Sequence, residues 1–287
     1  MQLGRVREIW RHPVKSMEGE RIAASAIEAS GLPGDRAFAV RDEKRGGIRG
    51  AKKIPSLMRC RARYLEEPKA GVPAPAPEIT LPDGARLRAD APDAAARLSA
   101  ALEHPVTLWP LRPASDVEHY RRGAPDHADV AAELRSIFGR NPDEPLPNLG
   151  VFPPDLFQYE SPPGTYFDAF PLLLVTDATL RRLAELAPAS RLDVRRFRPN
   201  LVLETGAAPG FVEAAWEGAQ LRIGGARIDV TIACPRCVMI THGFADLPRD
   251  PGLMRTVVRE ADQCVGVYAN VREPGRVREG DSVERIA

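Results

Sequence analysis

Short apolar runs recur along this chain, and almost every one is closed by a turn-forming residue. Gln2 to Trp10 mixes β-branched and apolar residues at near-alternate positions until Pro13 interrupts it. Arg21 to Ile27 and Arg36 to Arg41 follow, divided by Gly31-Leu32-Pro33-Gly34-Asp35. Runs of this length with a two-residue period read as strands. Glycine and proline stop them, one by admitting positive φ, the other by lacking the N–H that a ladder needs. Strands at such spacing point to a barrel or sandwich rather than βαβ units.

The same reading places strands at Val106–Leu111, Leu172–Val175, Leu201–Glu204, Gln220–Ile223, Arg227–Ile232, Gly266–Val271 and Ser282–Ile286. Helices are expected over Pro92–Glu103, with Leu98, Ala101 and Leu102 on one side, and over His127–Phe138 and Pro251–Ala261. Another should run to Leu186 behind the capping pair Thr176-Asp177. A chain of 287 residues exceeds a usual single domain, so one large or two intimate domains are expected. Residues 66–78 are Pro-rich and read as a surface loop. The stretch 112–168 is irregular and rich in proline, yet Phe152, Phe157, Tyr159, Tyr166 and Phe167 argue against disorder. Irregular segments of this length in compact proteins are commonly lids over a site.

Charge narrows the partners. With 40 basic and 39 acidic residues, the net charge of +1 speaks against a dedicated nucleic-acid or acidic-membrane binder. Neither a signal peptide nor an apolar stretch of membrane-spanning length is evident, so a cytoplasmic location is expected. The four cysteines, Cys60, Cys234, Cys237 and Cys264, are too few for a disulfide framework.

Cys234 and Cys237 form a C-x-x-C pair behind the strand Arg227–Ile232. A structural zinc would need two more ligands, to be found among His242, Cys264 and Cys60. A thioredoxin-like pair would need a βαβ context that the pattern lacks. A third reading uses one thiolate as the soft donor to a metal already bound by sulfur, while the other cysteine packs in the core. Three further stretches carry polar chemistry next to turns: His12-Pro13-Val14-Lys15-Ser16, Gly34-Asp35-Arg36 and Arg195-Arg196-Phe197-Arg198-Pro199-Asn200. Taken alone, the arginine run reads as a solvated turn before a strand.

Taken together with Ala233-Cys234-Pro235-Arg236-Cys237 and Pro274-Gly275-Arg276-Val277-Arg278-Glu279-Gly280-Asp281, these stretches resemble the MOSC family. The resemblance is to the branch with an N-terminal MOSC β-barrel domain, that of the amidoxime reducing components and their bacterial relatives. It implies a mainly β (α+β) fold of two intimately packed β-barrel-like domains with peripheral helices, residues 1–111 and 112–287. It also implies a mononuclear molybdenum–molybdopterin cofactor, with Cys237 as metal ligand and catalytic residue. Lys15, Ser16, Arg36, Thr176, Arg198 and Asn200 match positions that hold the cofactor's phosphate and pterin, and Pro235 and Arg236 form the loop beside the ligand.

The activity implied is reduction of N-hydroxylated small molecules, with electrons from a separate donor protein, since no flavin, nicotinamide or iron–sulfur fingerprint is present. The alternative is a sulfur carrier or cofactor-handling protein bearing a persulfide on Cys237. Candidates for proton delivery are His242, Asp246 and Asp250. The chain departs from its relatives at Arg49-Gly50-Ala51-Lys52-Lys53, where a Thr-x-Arg-Gln-like run is usual. Lys52 or Lys53 is expected to take over an anion contact there. No family motif falls within 112–168, which is expected to cover the site and set substrate choice.

Overall fold

The computed structural model describes residues 1–286. Its first third contains β1 (Gln2–Arg11), β2 (Glu20–Ile22), β3 (Ala24–Ile27), β4 (Phe38–Asp42), β5 (Ile48–Arg49), β6 (Arg61–Arg63), β7 (Glu78–Thr80) and β8 (Arg86–Arg88). Helix α1 (Ala94–Leu102) and β9 (Val106–Pro110) complete it. Two three-stranded sheets, β5-β4-β9 and β6-β7-β8, form here. Val14, Met17, Leu57, Ile79 and Leu98 of α1 share one core between them.

Two short helices, α2 (Val117–Tyr120) and α3 (Val130–Phe138), lie in the irregular stretch. The remainder holds β10 (Leu172–Thr176), α4 (Asp177–Leu186), β11 (Leu201–Glu204), β12 (Gln220–Ile223), β13 (Ala226–Pro235), α5 (Pro251–Glu260), β14 (Cys264–Glu273), β15 (Gly275–Arg278) and β16 (Ser282–Arg285).

Seven strands close a barrel in the order β11-β10-β14-β13-β12-β16-β1, and β1 returns to pair with β11. Closure removes the exposed edges that an open sheet would leave for aggregation. The barrel takes its first strand from the start of the chain, so β1 belongs to the same sheet as strands beyond residue 172. Ile9, Leu172, Leu174, Leu201, Ile228 and Val267 fill its interior. The molecule is mainly β, with its helices at the periphery.

Two features of the barrel aim the cysteine loop. The first is that β13 runs to Pro235, three residues past the expected end, which places Cys234 inside the strand. The register of β13 against β14 shifts between Val230 and Ala233 and again between Ala233 and Pro235. Such bulges bend a strand and redirect the side chains that follow. The second is Gly266 in β14, at φ 78°, where a Cβ would come within 2.4 Å of Leu174 O in the neighbouring strand. Only glycine lets the two backbones approach so closely.

Residues 112–168 are pinned at several points. Arg45 Nε and Lys53 Nζ each lie 2.9 Å from an Asp126 carboxylate oxygen, and Arg49 donates to Ala124 O. Arg140 Nη2 donates to Arg236 O at 3.2 Å, which fastens the end of α3 to the cysteine loop. No helix among the described residues is long and apolar enough to cross a membrane.

Candidate active site

Three of the turns singled out in the sequence hold a non-glycine residue in left-handed backbone conformation: Ser16 (φ 68°), Arg36 (φ 49°) and Arg198 (φ 55°). Each such residue costs roughly 1–3 kcal/mol, and this kind of strain gathers at functional sites. Asp35 holds the three turns together. Its Oδ1 accepts from His12 N at 2.7 Å, its Oδ2 accepts from Asn200 Nδ2 at 2.9 Å, and Arg36 Nη1 donates to the same carboxylate. Asn200 Oδ1 in turn accepts from Leu173 N at 3.1 Å, so both ends of that amide are held by protein.

His12 is sealed beneath these turns. Burial first, then the Arg198 and Arg36 charges, holds its imidazole well below the ordinary value of 6.5. Protonation is therefore favoured in the unfolded chain and resisted in the folded one. The stability that depends on a neutral His12 is complete above about pH 6.5 and declines as pH falls below it, by up to about 1.4 kcal/mol per pH unit. Urea unfolding at about pH 7.5 and about pH 5.5 should show the loss, and His12→Gln should reduce it. Equal pH dependence in the variant would overturn this assignment, because the smaller contributions of His119 and His242, also lowered by burial, are common to both proteins.

The turns open on a cavity of about 480 Å³ at the junction of the barrel and the first-third sheets. Cys237, Lys15, Ser16, Arg36, Arg198, Asn200, Pro235 and Arg236 all line it. Eight cationic residues besides the fully engaged Arg196 line it against three carboxylates, Glu133, Glu160 and Asp168, which marks it as a receptor for an anionic group. Three guanidinium nitrogens of lining residues, Arg49 Nε, Arg198 Nη2 and Arg236 Nε, are buried without a hydrogen-bond partner among the described residues. Burial, with Arg36 adding to it, pushes Arg198 down to about 9. A buried cation with an idle donor is costly unless something binds it. The donor set thus fits a phosphate- and carbonyl-bearing group.

The two cysteines part company. Cys234 is 1% exposed, and its Sγ accepts from Arg236 Nη1 at 2.9 Å. Burial pushes its thiol up. Cys237 is half-buried, stands at the head of the 3-10 turn Val238–Thr241 and lines the cavity. Among the described residues, no three His, Cys, Asp or Glu side chains gather as a zinc site would require. Cys264 lies opposite Pro235 across the β13–β14 ladder, its thiol pushed up to about 12 by burial.

The residues before Asn200 are not a solvated turn. Arg196 is fully buried and donates to Ile240 O, His242 O and Pro248 O at 3.1, 3.0 and 2.7 Å. It thereby anchors the turn that Cys237 heads.

Two family descriptions match this chain: the MOSC N-terminal beta barrel domain over residues 3–110 and the MOSC domain over residues 162–284. The chain belongs to the MOSC family. Mitochondrial amidoxime reducing component 2 of Homo sapiens is 30% identical over 134 residues, 42% of this chain and 38% of that protein. The Bos taurus protein of the same name is 24% identical, the match covering 99% of this chain and 84% of that protein. The YUAD protein of Bacillus subtilis superposes over 98% of this chain and 93% of its own, at a TM-score of 0.43 and 11% identity.

Not every residue singled out in this MOSC protein reaches the cavity. Thr176 Oγ1 accepts from Thr179 N at 3.1 Å as the cap of α4 and donates to the buried Glu213 at 2.7 Å, away from the cavity lining. His242 Nε2 lies 3.0 Å from Ala51 O, Asp246 pairs with Arg191 and Arg195, and Asp250 caps α5; none of the three lines the cavity.

Of the three carboxylates that do line it, Asp168 is the one that meets Lys15, and sequence reasoning missed it. Its Oδ1 is 2.8 Å from Lys15 Nζ and 3.3 Å from Lys52 Nζ. Burial works against its charge, but the two ammoniums hold the carboxyl well below the usual range. Lys15 Nζ also donates to Tyr166 O at 2.8 Å and Ser161 Oγ at 3.2 Å. Ser16 Oγ accepts from Ala51 N at 2.9 Å. Of the two lysines weighed at the departure from the family pattern, Lys52 meets Asp168, and Lys53 ties down Asp126 and Glu133 of the covering segment.

Proposed function

We propose that this MOSC protein is a molybdenum-cofactor-dependent oxidoreductase that reduces N-hydroxylated compounds with electrons from a separate carrier protein. One observation carries the reading: the half-buried Cys237 thiol shares a cavity with an excess of cations, and buried nitrogens of Arg49, Arg198 and Arg236 there lack a hydrogen-bond partner among the described residues. Arg198, Arg236 and Arg36 would bind the anionic and carbonyl edges of a molybdenum–molybdopterin cofactor, and Cys237 would supply the soft protein ligand. When bound, the cofactor supplies the two-electron chemistry. For an N-hydroxyamidine the balance is R–C(NH2)=N–OH + 2 e⁻ + 2 H⁺ → R–C(NH2)=NH + H2O.

The chain's own residues would manage the protons. Burial pushes the Lys15 ammonium down, Asp168 opposes it and Lys52 adds to it. Lys15 is thereby drawn toward proton donation at the cavity wall, with Asp168 holding it in place. The test is to purify the protein from a cofactor-competent host and measure molybdenum and pterin per chain. Reduction of an N-hydroxyamidine is then assayed with chemically reduced methyl viologen. Stoichiometric metal and turnover are expected. A metal-free protein with a persulfide on Cys237 would replace this reading with that of a sulfur carrier.

A further inference from the structure

Helix α3 repeats apolar residues at the spacing of one helical face, Leu134, Ile137 and Phe138, yet it buries none of its residues. Leu149, Phe152 and Leu156 continue the same surface on the two 3-10 turns that follow. All six side chains line the cavity, and none of them joins a hydrophobic core cluster. Phe157 stands at the rim, 59% exposed. Half-buried apolar side chains that open on a cavity instead of a core leave apolar surface for an occupant to cover.

The position of this wall says what the occupant is. Gly139, at the end of α3, packs directly on Val238, the residue after Cys237, so close that a Cβ would lie 3.3 Å from Val238 Cα. Arg140 bonds to Arg236 O in the same loop. The wall therefore begins beside Cys237 and faces the cationic floor across the cavity. Its own acids are already matched, Glu133 by Lys53 and Glu160 by Arg122, so the wall offers no idle charge to a ligand.

We propose that residues 134–156 form a subsite for the uncharged aryl or alkyl tail of the substrate, whose N–O end lies at Cys237. This rests on the reductase reading for the reacting end, but not for the tail. Two substrates separate the effects, N-hydroxybenzamidine and N-hydroxyacetamidine, which share a reacting group and differ in the tail. The wild type should prefer the aryl compound by kcat/KM. Leu134→Ala and Phe152→Ala should each cut that preference about tenfold, mainly through KM, the usual effect of removing apolar contact from a pocket. Binding of benzamide, which cannot be reduced, is followed in parallel by saturation-transfer NMR on both proteins.

An equal aryl preference in wild type and both variants overturns the subsite and leaves the reductase reading standing. If neither substrate turns over but benzamide binds the wild type and is lost from both variants, the reductase reading fails and the subsite stands. Because neither side chain belongs to a core cluster, unfolding does not confound the variants, and matched melting curves verify this.

Discussion

On the proposed cofactor reading, Cys237→Ser should leave the protein folded and weaken its hold on molybdenum about 10–100-fold, read as metal lost from the protein on dialysis against chelator. Loss of even an outer-shell partner commonly costs 10–100-fold in metal affinity, and loss of the protein's own ligand costs at least as much. A serine hydroxyl is a hard, weakly acidic donor and does not stand in for a thiolate. Cys237 is half-buried at the start of a short turn and belongs to the cavity wall, so the exchange removes little packing.

The comparison that gives this result its meaning is Cys234→Ala. That thiol is sealed in β13 against Arg236, so its removal should cost about 1–3 kcal/mol of stability through a small cavity and an orphaned guanidinium donor, while most of the metal stays. Elemental analysis and pterin fluorescence on the three proteins decide the matter. Metal retained by Cys237→Ser and lost by Cys234→Ala would exchange the roles assigned to the two cysteines.

The long strands and helices were legible in the sequence because each carries its own period. β1, β10, β11 and α4 begin and end within a residue or two of the expected positions. Strands β5 to β8 span two or three residues each and show no period, so only their pairing partners define them. The far end of β13 was hidden for a different reason. Pro235 looks like a strand terminator, and the structure accommodates it where the register has already shifted, so that no regular ladder bond is asked of its missing N–H.

At the site, sequence motifs located the cationic floor, because those residues sit next to turn signals. Asp168 was invisible, since nothing local links it to Lys15, 153 positions earlier. The apolar wall was equally hidden: α3 reads as an ordinary amphipathic helix, and only the fold shows that no core receives its apolar face.

Arg196 makes the second large prediction. An arginine in an Arg-rich run is expected in solvent, yet this one has no exposed surface and spends its donors on backbone carbonyls. Arg191 O, at 3.2 Å, joins Ile240 O, His242 O and Pro248 O as acceptors, and among the described residues no carboxylate pairs with the guanidinium. Burial pushes it down from its ordinary value, but the fan of carbonyls keeps the planar fork useful in a way that an ammonium cannot copy.

Arg196→Met fills much of the volume but leaves four carbonyls without their donor. At about 1 kcal/mol for each, the loss should be about 3–5 kcal/mol, or a fall in Tm on the order of 10 °C for a chain of this size. Arg196→Lys should recover only part of it, because one ammonium cannot span the same four acceptors. Since those carbonyls shape the turn that Cys237 heads, both variants should also release molybdenum faster on dilution into chelator than the wild type does. Urea denaturation measures the first effect and metal-release kinetics the second. A Met variant within about 1 kcal/mol of wild type would show that the carbonyls find water instead, and that Arg196 does not hold the loop.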